Sequence, residues 1–406
     1  VSHKQGVRFE LAPTGGQAVA MGRHCGLSRV VENFCLETVR KKYAQRKAEE
    51  SYGITGDGLT KVPWSAPALE REWRAAHPKR YPWFSQGGLS SRIPKEACRV
   101  RAAGLKNYFA SRAGKRKGTR VGWPRWRRRK HGSRFRYDAD RAKPLDARTV
   151  RLPAIGDVAV REDMSWLTDR TATGRARILG ATVREQAGRW WVSFQIEVDR
   201  DDVDKRRQAP DGAPACGIDL GLKTFAVIKS SDGTTEEIHA PKPLKAAQRA
   251  LKRAGRRLSR SAEGSKNRAK ARERVGRLHL RVADRRRDFL HKTTTWLTRT
   301  KSAVAVETLN VKGMVKNRRL SRAVTDAGFA EFVRQLEYKA GWYGSRVWRA
   351  DRWFPSSKTC GECGRINRVL ILADRTWACP GCGAVHDRDH NAAGNLLDSM
   401  LADTDA

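Results

Sequence analysis

Two matched pairs of cysteines near the C-terminal end constrain this chain more than any other feature. Cys360 and Cys363 form one CxxC pair, Cys379 and Cys382 the other, and fifteen residues lie between them. Four thiolates at this spacing suit a tetrahedral zinc ion, and glycines directly after Cys360, Cys363 and Cys382 let each knuckle turn. A site closed by four cysteines holds structure rather than doing chemistry. A redox dithiol pair is the alternative, and two matched knuckles argue against it. Cys25, Cys35, Cys98 and Cys216 are scattered, so the eight cysteines do not form a disulfide framework.

The second constraint is charge. Of 406 residues, 83 are Lys or Arg and 43 are Asp or Glu, a formal net charge of +40. Self-repulsion on that scale points to a polyanionic partner. The excess peaks between Ala97 and Tyr137, where no acidic residue occurs. Lys115, Arg116, Lys117, Arg125, Arg127, Arg128, Arg129 and Lys130 lie there, with Trp126, Trp123, Phe135 and Tyr137 interleaved as aromatic faces. A charge run is usually a solvated face. Here the missing acids and the aromatic interleaving favour contact with nucleic acid, through neutralised phosphates and stacked bases. No apolar run approaches the length of a transmembrane helix, and the N-terminus lacks a charged-then-apolar signal pattern. The expected location is the cytoplasm.

Periodicity organises the rest. Residues 5–12 alternate as a strand, and a helical pattern begins at Gly22 and continues through 66–76 and 93–111, broken by Pro63, Pro78, Pro82 and Pro94. Trp64, Trp73, Trp83 and Phe84 mark an aromatic core there. Residues 149–199 read as short antiparallel strands with a turn at Gln186-Ala187-Gly188, so the N-terminal half is expected to be a small β-barrel with a helical insertion. A polar linker, 200–214, precedes an α/β pattern. It opens with 216–229, CGIDLGLKTFAVIK, read as a strand, a tight Gly turn and a second strand, with Gly217 and Gly221 bracketing Asp219. Helices fill 241–300 with a break at 262–267, and the apolar run 303–306 marks a parallel strand buried on both faces.

Three acids stand out on this pattern. Asp219 sits in the first strand, Glu307 ends the parallel strand, and Asp389 lies in the first turn of a C-terminal helix. Two have an ordinary explanation: Asp219 as an Asp in a hairpin turn, Asp389 as a helix cap. Together, carboxylates converging from three elements can hold two divalent ions about 4 Å apart, clamping the attacking and leaving oxygens of a phosphodiester. Magnesium suits such oxygen ligands. His386 and His390 are weaker candidates for metal.

The stretches GIDLGLK (217–223), VETLNVKGM (306–314), PSSKTCGECG (355–364) and CGAVHDRDHNAAGN (382–395) together resemble the TnpB family and the miniature type V CRISPR effectors related to it. The resemblance covers most of residues 120–400. It implies an RNA-guided DNA endonuclease that cuts double-stranded DNA next to a short flanking motif through one RuvC site, with guide RNA and target DNA as partners. The implied fold is α/β plus a β-barrel with a helical insertion. Residues 1–20 and 119–205 would form the wedge-like barrel and 21–118 a helical recognition domain. An RNase H-like (RuvC) nuclease domain would occupy 212–353 and 386–406, interrupted by a zinc-ribbon target-loading module at 354–385. On the family's pattern Asp219, Glu307 and Asp389 would be the catalytic ligands of two Mg2+ ions. Asp389 is preferred to Asp387 because the family acid precedes Asn-Ala-Ala by one intervening residue. Two other readings stand beside this one: an RNA-guided DNA-binding protein with little cleavage, and an unguided RNase H-like transposase or resolvase.

Overall fold

A computed structural model describes residues 2–129, 132–139, 141–199, 209–371 and 373–404. Lys130 and positions 200–208 of the expected linker lie outside the described residues. The chain divides into two compact units, residues 1–199 and 200–406, which together give a mixed α/β protein.

In the first unit, strand β1 (Ser2–Ala12) pairs antiparallel with β7 (Arg189–Asp199), as the alternation in both predicts. Helix α1 (Gly15–Ser51) starts well before the expected Gly22. The reason is a capping box: the Thr14 hydroxyl accepts the Gln17 N–H, and the Gln17 side chain accepts the Thr14 N–H. Helices α2 (Ala66–Arg80), α3 (Trp83–Gln86) and α4 (Arg92–Arg112) follow. Pro94 falls in the first turn of α4, where a missing N–H costs nothing. Leu27, Val31, Phe34 and Cys35 of α1 bury against Leu69 and Trp73 of α2 and Ile93 and Cys98 of α4.

The remaining strands are β2 (Ser133–Asp138), β3 (Lys143–Pro144), β4 (Thr149–Leu152), β5 (Gly156–Val160) and β6 (Ala176–Gln186). They join β1 and β7 in one antiparallel sheet, ordered β2-β6-β7-β1-β5-β4-β3. Among the described residues no ladder joins β2 to β3, so the expected barrel is a sheet not closed by hydrogen bonds. A short helix, α5 (Ser165–Ala172), interrupts the region read as wholly β. Phe135 and Tyr137 correct the reading of an aromatic nucleic-acid face. They occupy the inward positions of β2 and are 1% and 0% exposed.

The second unit is built on a five-stranded sheet. Strands β8 (Cys216–Leu220), β9 (Ala226–Ser230) and β10 (Thr235–Ile238) form an antiparallel meander. Helices α6 (Pro243–Arg260) and α7 (Lys266–Thr300) lead to β11 (Ala303–Val306), and the break between them falls where expected. Then come α8 (Val311–Lys316), α9 (Ser321–Ala327), α10 (Phe329–Tyr343) and β12 (Arg346–Arg349). β11 runs parallel to both β8 and β12, giving the order β10-β9-β8-β11-β12.

Side-chain alternation assigns the faces of this sheet. Cys216, Ile218, Val304 and Val306 pack with Leu290 and Leu297 of α7 and Phe329, Phe332 and Leu336 of α10. Ala305 faces the other way, against Leu396, Leu397 and Met400 of the last helix, α11 (Arg388–Thr404). Before α11 comes a small hairpin, β13 (Thr376–Ala378) with β14 (Val385–Asp387). Among the described residues no helix is long and apolar enough to cross a membrane.

Candidate active site and cysteine cluster

The carboxylate site begins with a glycine. A Cβ at Gly217 would lie 2.1 Å from the Ala393 carbonyl oxygen and 2.6 Å from the Leu397 nitrogen. The backbone of α11 therefore rests on β8 at the one position that has no side chain. Gly217 is thus a strand residue of close approach. Asp219 is two residues further along the same face, and Asp389 lies one helical turn before Ala393. The Gly217 contact therefore brings the Asp389 end of α11 over Asp219.

Glu307 arrives by a different route. β11 is in parallel register with β8, Val306 opposite Ile218, so the next residue emerges beside the Asp219–Leu220 peptide. Its carboxylate accepts the Leu220 N–H. The Thr308 hydroxyl donates to the Ala350 carbonyl at 2.8 Å and fixes the segment that carries it.

Electrostatics records how these groups meet. Burial drives the Asp219 carboxyl well above the usual carboxylate range, and the charges of Glu307 and Asp389 push it the same way. Burial also lifts Glu307 to about 7, against the Leu220 N–H and the Arg388 guanidinium, which favour its ionised form. Glu307 and Asp389 thus both act on the buried Asp219 carboxyl, and carboxylate oxygens are the donor type that suits a hard divalent cation such as magnesium. Asp387 has another task. Its Oδ1 accepts the backbone N–H groups of Asp389 and His390, both at 3.0 Å, and caps α11. The His390 ring is 3.0 Å from a Glu237 oxygen.

The four cysteines of the knuckles gather, their sulfurs all within 4.8 Å of one another. Cys360 and Cys382 are 3.6 Å apart, as are Cys363 and Cys379. Sulfurs on a tetrahedral zinc at the usual bond length would be about 3.8 Å apart, so the cluster can hold a metal such as zinc. Backbone bonds shape the knuckles, Gly364 N–H to Cys360 O and Gly383 N–H to Cys379 O, both 2.9 Å. The His386 ring nitrogen stands 3.1 Å from the Cys360 sulfur, an outer contact to a ligand.

The cationic stretch in the first unit divides. Lys115, Arg116, Lys117, Arg125, Arg128 and Arg129 are exposed, and Trp126 is 38% exposed with the Arg40 guanidinium 5.7 Å from its ring centre. Arg127 is turned inward instead. Its guanidinium pairs with buried Glu32 and donates to the Ser28 hydroxyl and the Arg134 carbonyl. Trp123 packs edge-on against Tyr108 and Phe109.

Sequence reasoning missed two residues at the carboxylate site. Arg375 sets Nη1 3.2 and 3.1 Å from the two Asp389 oxygens, and Arg388 bears on both Asp219 and Glu307. Among so many basic residues, no local signal marks either one. Gly217 did carry a signal, a glycine inside an apolar strand.

Three family descriptions match the chain. One described as a probable transposase, OrfB_IS605, covers residues 193–318. A Cas12f1-like TNB domain covers 329–396, and a helix-turn-helix domain of OrfB_IS605 covers 3–48. In this structure the last region is β1 and most of the single helix α1. A protein of Streptomyces pristinaespiralis named "Putative RNA-guided DNA endonuclease" is 35% identical over 98% of this chain and 90% of its own. A protein of the same designation from Mycobacterium tuberculosis is 36% identical over 97% of this chain and 85% of its own. A solved Cas12f1–sgRNA–target DNA complex aligns over 98% of this chain and 98% of that one, at 13% identity and a TM-score of 0.48.

Proposed function

The chain belongs to the TnpB/OrfB family of IS605, and on that premise we propose that it is an RNA-guided DNA endonuclease whose active site is Asp219, Glu307 and Asp389. Its partners are a guide RNA and double-stranded target DNA. Base pairing with the guide reads the target, and the protein reads a short flanking motif. The observation that carries this reading is the convergence of three carboxylates from segments far apart in sequence, two of them with strongly raised proton affinity.

The second unit supports an RNase H-like (RuvC) core. It has a three-stranded antiparallel meander, two further strands in parallel register and helices on both faces. We assign the nuclease domain to 212–353 and 386–406 and the zinc-binding target-loading module to 354–385. The barrel-like sheet then belongs to 1–20 and 119–205, and the helical recognition domain to 21–118. Acting on DNA in a prokaryotic cell, the enzyme works in the cytoplasm or nucleoid.

Divalent magnesium bound by the three carboxylates would supply Lewis-acid activation of water and stabilise the leaving oxygen. The chain's own residues prepare that site. Gly217 sets the distance between Asp219 and Asp389. The Leu220 N–H orients the Glu307 carboxylate. Asp387 holds the first turn of α11, which carries Asp389. The exposed cations at 115–117, 125, 128 and 129 neutralise phosphates, and Trp126 offers a stacking face.

The test is cleavage of a supercoiled target plasmid by the ribonucleoprotein in magnesium, with Asp219→Ala beside the natural protein. Cleavage by the natural protein and its loss in the variant is the expected outcome. Undiminished cleavage by Asp219→Ala, or cutting by protein that carries no defined RNA, overturns the reading.

A further inference from the structure

Asp389 is already engaged by a cation, a guanidinium. Arg375 directly precedes β13, and its carbonyl accepts the Arg388 N–H at 2.8 Å. That bond extends the ladder in which Thr376 faces Asp387. The backbone of Arg375 is therefore tied to the first residue of α11, next to Asp389. Its side chain reaches across, and one nitrogen, Nη1, sits 3.2 and 3.1 Å from the two carboxylate oxygens.

That placement has a chemical consequence. A nitrogen astride both oxygens occupies the space in which a cation held by both would sit. The Arg375 charge is also felt at Asp219, where it opposes the effect of burial. The pair is only partly covered, with Arg375 at 52% and Asp389 at 27% side-chain exposure. Ion pairs in that setting are weak, so a divalent ion with twice the charge can displace this one. Arg375 thus resembles a monovalent stand-in that any entering metal must move aside.

The hairpin that carries Arg375 is also the one the cysteines close. The Cys379 N–H bonds the Ala384 carbonyl at 2.8 Å across the β13–β14 turn, and Cys379 and Cys382 both belong to the sulfur cluster. Order at the cysteine cluster therefore reaches the carboxylates through the Arg375 side chain as well as through the backbone bond between Arg388 and Arg375.

We propose that Arg375 is a positioning residue that competes with the divalent cation for Asp389 and so sets the cation concentration at which the carboxylate site fills. This rests on the reading of the three carboxylates as metal ligands. Mn2+ is the probe, titrated into the full chain free of nucleic acid and followed by electron paramagnetic resonance of the unbound ion, with bound zinc measured in parallel. Arg375→Ala is expected to bind Mn2+ roughly three- to tenfold more tightly than the natural protein, the scale of a partly exposed ion pair. Arg375→Lys, which keeps the charge, is expected to stay within about twofold of the natural protein.

Asp389→Asn separates the two ideas. If Asp389→Asn loses Mn2+ and Arg375→Ala leaves affinity unchanged or weaker, the competition is overturned and the metal site stands. If Asp389→Asn binds as the natural protein does, the metal-site reading fails and the competition falls with it. Equal tightening in Arg375→Lys and Arg375→Ala also overturns the proposal, because charge is then not the cause. Should Arg375→Ala lose zinc, Arg375→Gln keeps the reach of the side chain and is judged by the same outcomes.

Discussion

The second unit carries two candidate metal sites built on opposite plans. The cysteine cluster draws its four ligands from one short segment, 360–382, and the backbone bonds that turn each knuckle are local, while Asn391 of α11 accepts the Gly361 N–H. The carboxylate site draws one ligand from each of three segments separated by most of the unit, and each arrives on a different element. Removing metal should therefore act in opposite senses at the two places. At the cysteines a metal would supply the cohesion of a module with a small core, in which Leu370 and Trp377 bury against Cys360 and Cys379. At the carboxylates the fold imposes a repulsion that metal would relieve.

The sharpest break of that contrast is Cys379→Ser. We expect loss of bound zinc and opening of the β13–β14 hairpin, because structural zinc contributes on the order of 10 kcal/mol to small modules of this kind. Zinc content and amide exchange over 376–387 are the measurements. A variant that keeps its zinc and its protection would show that the module stands on its own hydrogen bonds.

Asp219→Ala comes next and should reverse the sign. Cleavage is expected to fall by on the order of 10³-fold, the scale of losing an electrostatic anchor for the reacting groups. The magnesium-free protein should nevertheless melt higher than the natural one at neutral pH and above, since a desolvated carboxylate facing two others is removed. Activity assays and denaturant melts check the pair of outcomes. A variant that loses both activity and stability would make Asp219 an ordinary structural residue.

The same contrast explains what could be read from sequence. The CxxC spacing, the apolar run 303–306 and the alternation in 190–198 are local patterns, and each fixes its own geometry. The three acids were visible as residue types at strand and helix ends, where α/β sheets expose chemistry. What escaped depends on partners distant in sequence. Arg127 sits in an acid-free run, yet it finds Glu32 on a helix whose sequence gives no hint of the pairing. Phe135 and Tyr137 alternate as a buried strand, but the surrounding charge masks the period. The start of α1 was missed because its capping box precedes the apolar stripe. The edge strand β10, TEEI, has no apolar alternation to reveal it.

Gly217→Ala probes the packing that joins the carboxylate elements. The added methyl would meet the Ala393 carbonyl and the Leu397 nitrogen, both backbone atoms that cannot swing aside. We expect a loss of about 3 kcal/mol, the upper range for overpacking, together with weaker divalent binding as α11 backs away from β8. The cysteine cluster should keep its zinc, since its four ligands lie within 360–382 and α11 reaches that knuckle through the Asn391 and Asn395 side chains. If zinc is lost as well, the two sites are not the independent constructions their ligands suggest.

The smallest expected effect separates the two sites by proton rather than by mutation. Glu307 holds its proton up to about 7, against an ordinary 4.5. Between those values the folded protein binds a proton that the unfolded chain has released, so the free energy of folding becomes less favourable as pH rises through that window. The contribution is complete below 4.5 and gone above about 7. Because Glu307 is partly exposed, the change should reach about 2 kcal/mol, short of what the full shift would give. Urea melts across that window, in magnesium-free buffer without a chelator that would strip the cysteines, should show this slope. Glu307→Gln should make it shallower, leaving the part that the raised Asp219 carboxyl contributes, and raise stability at pH 8, and divalent binding by the natural protein should strengthen over the same interval as the proton leaves. A slope left unchanged by Glu307→Gln would assign all of it to Asp219, whose carboxyl is raised as well, and remove the evidence that Glu307 is desolvated.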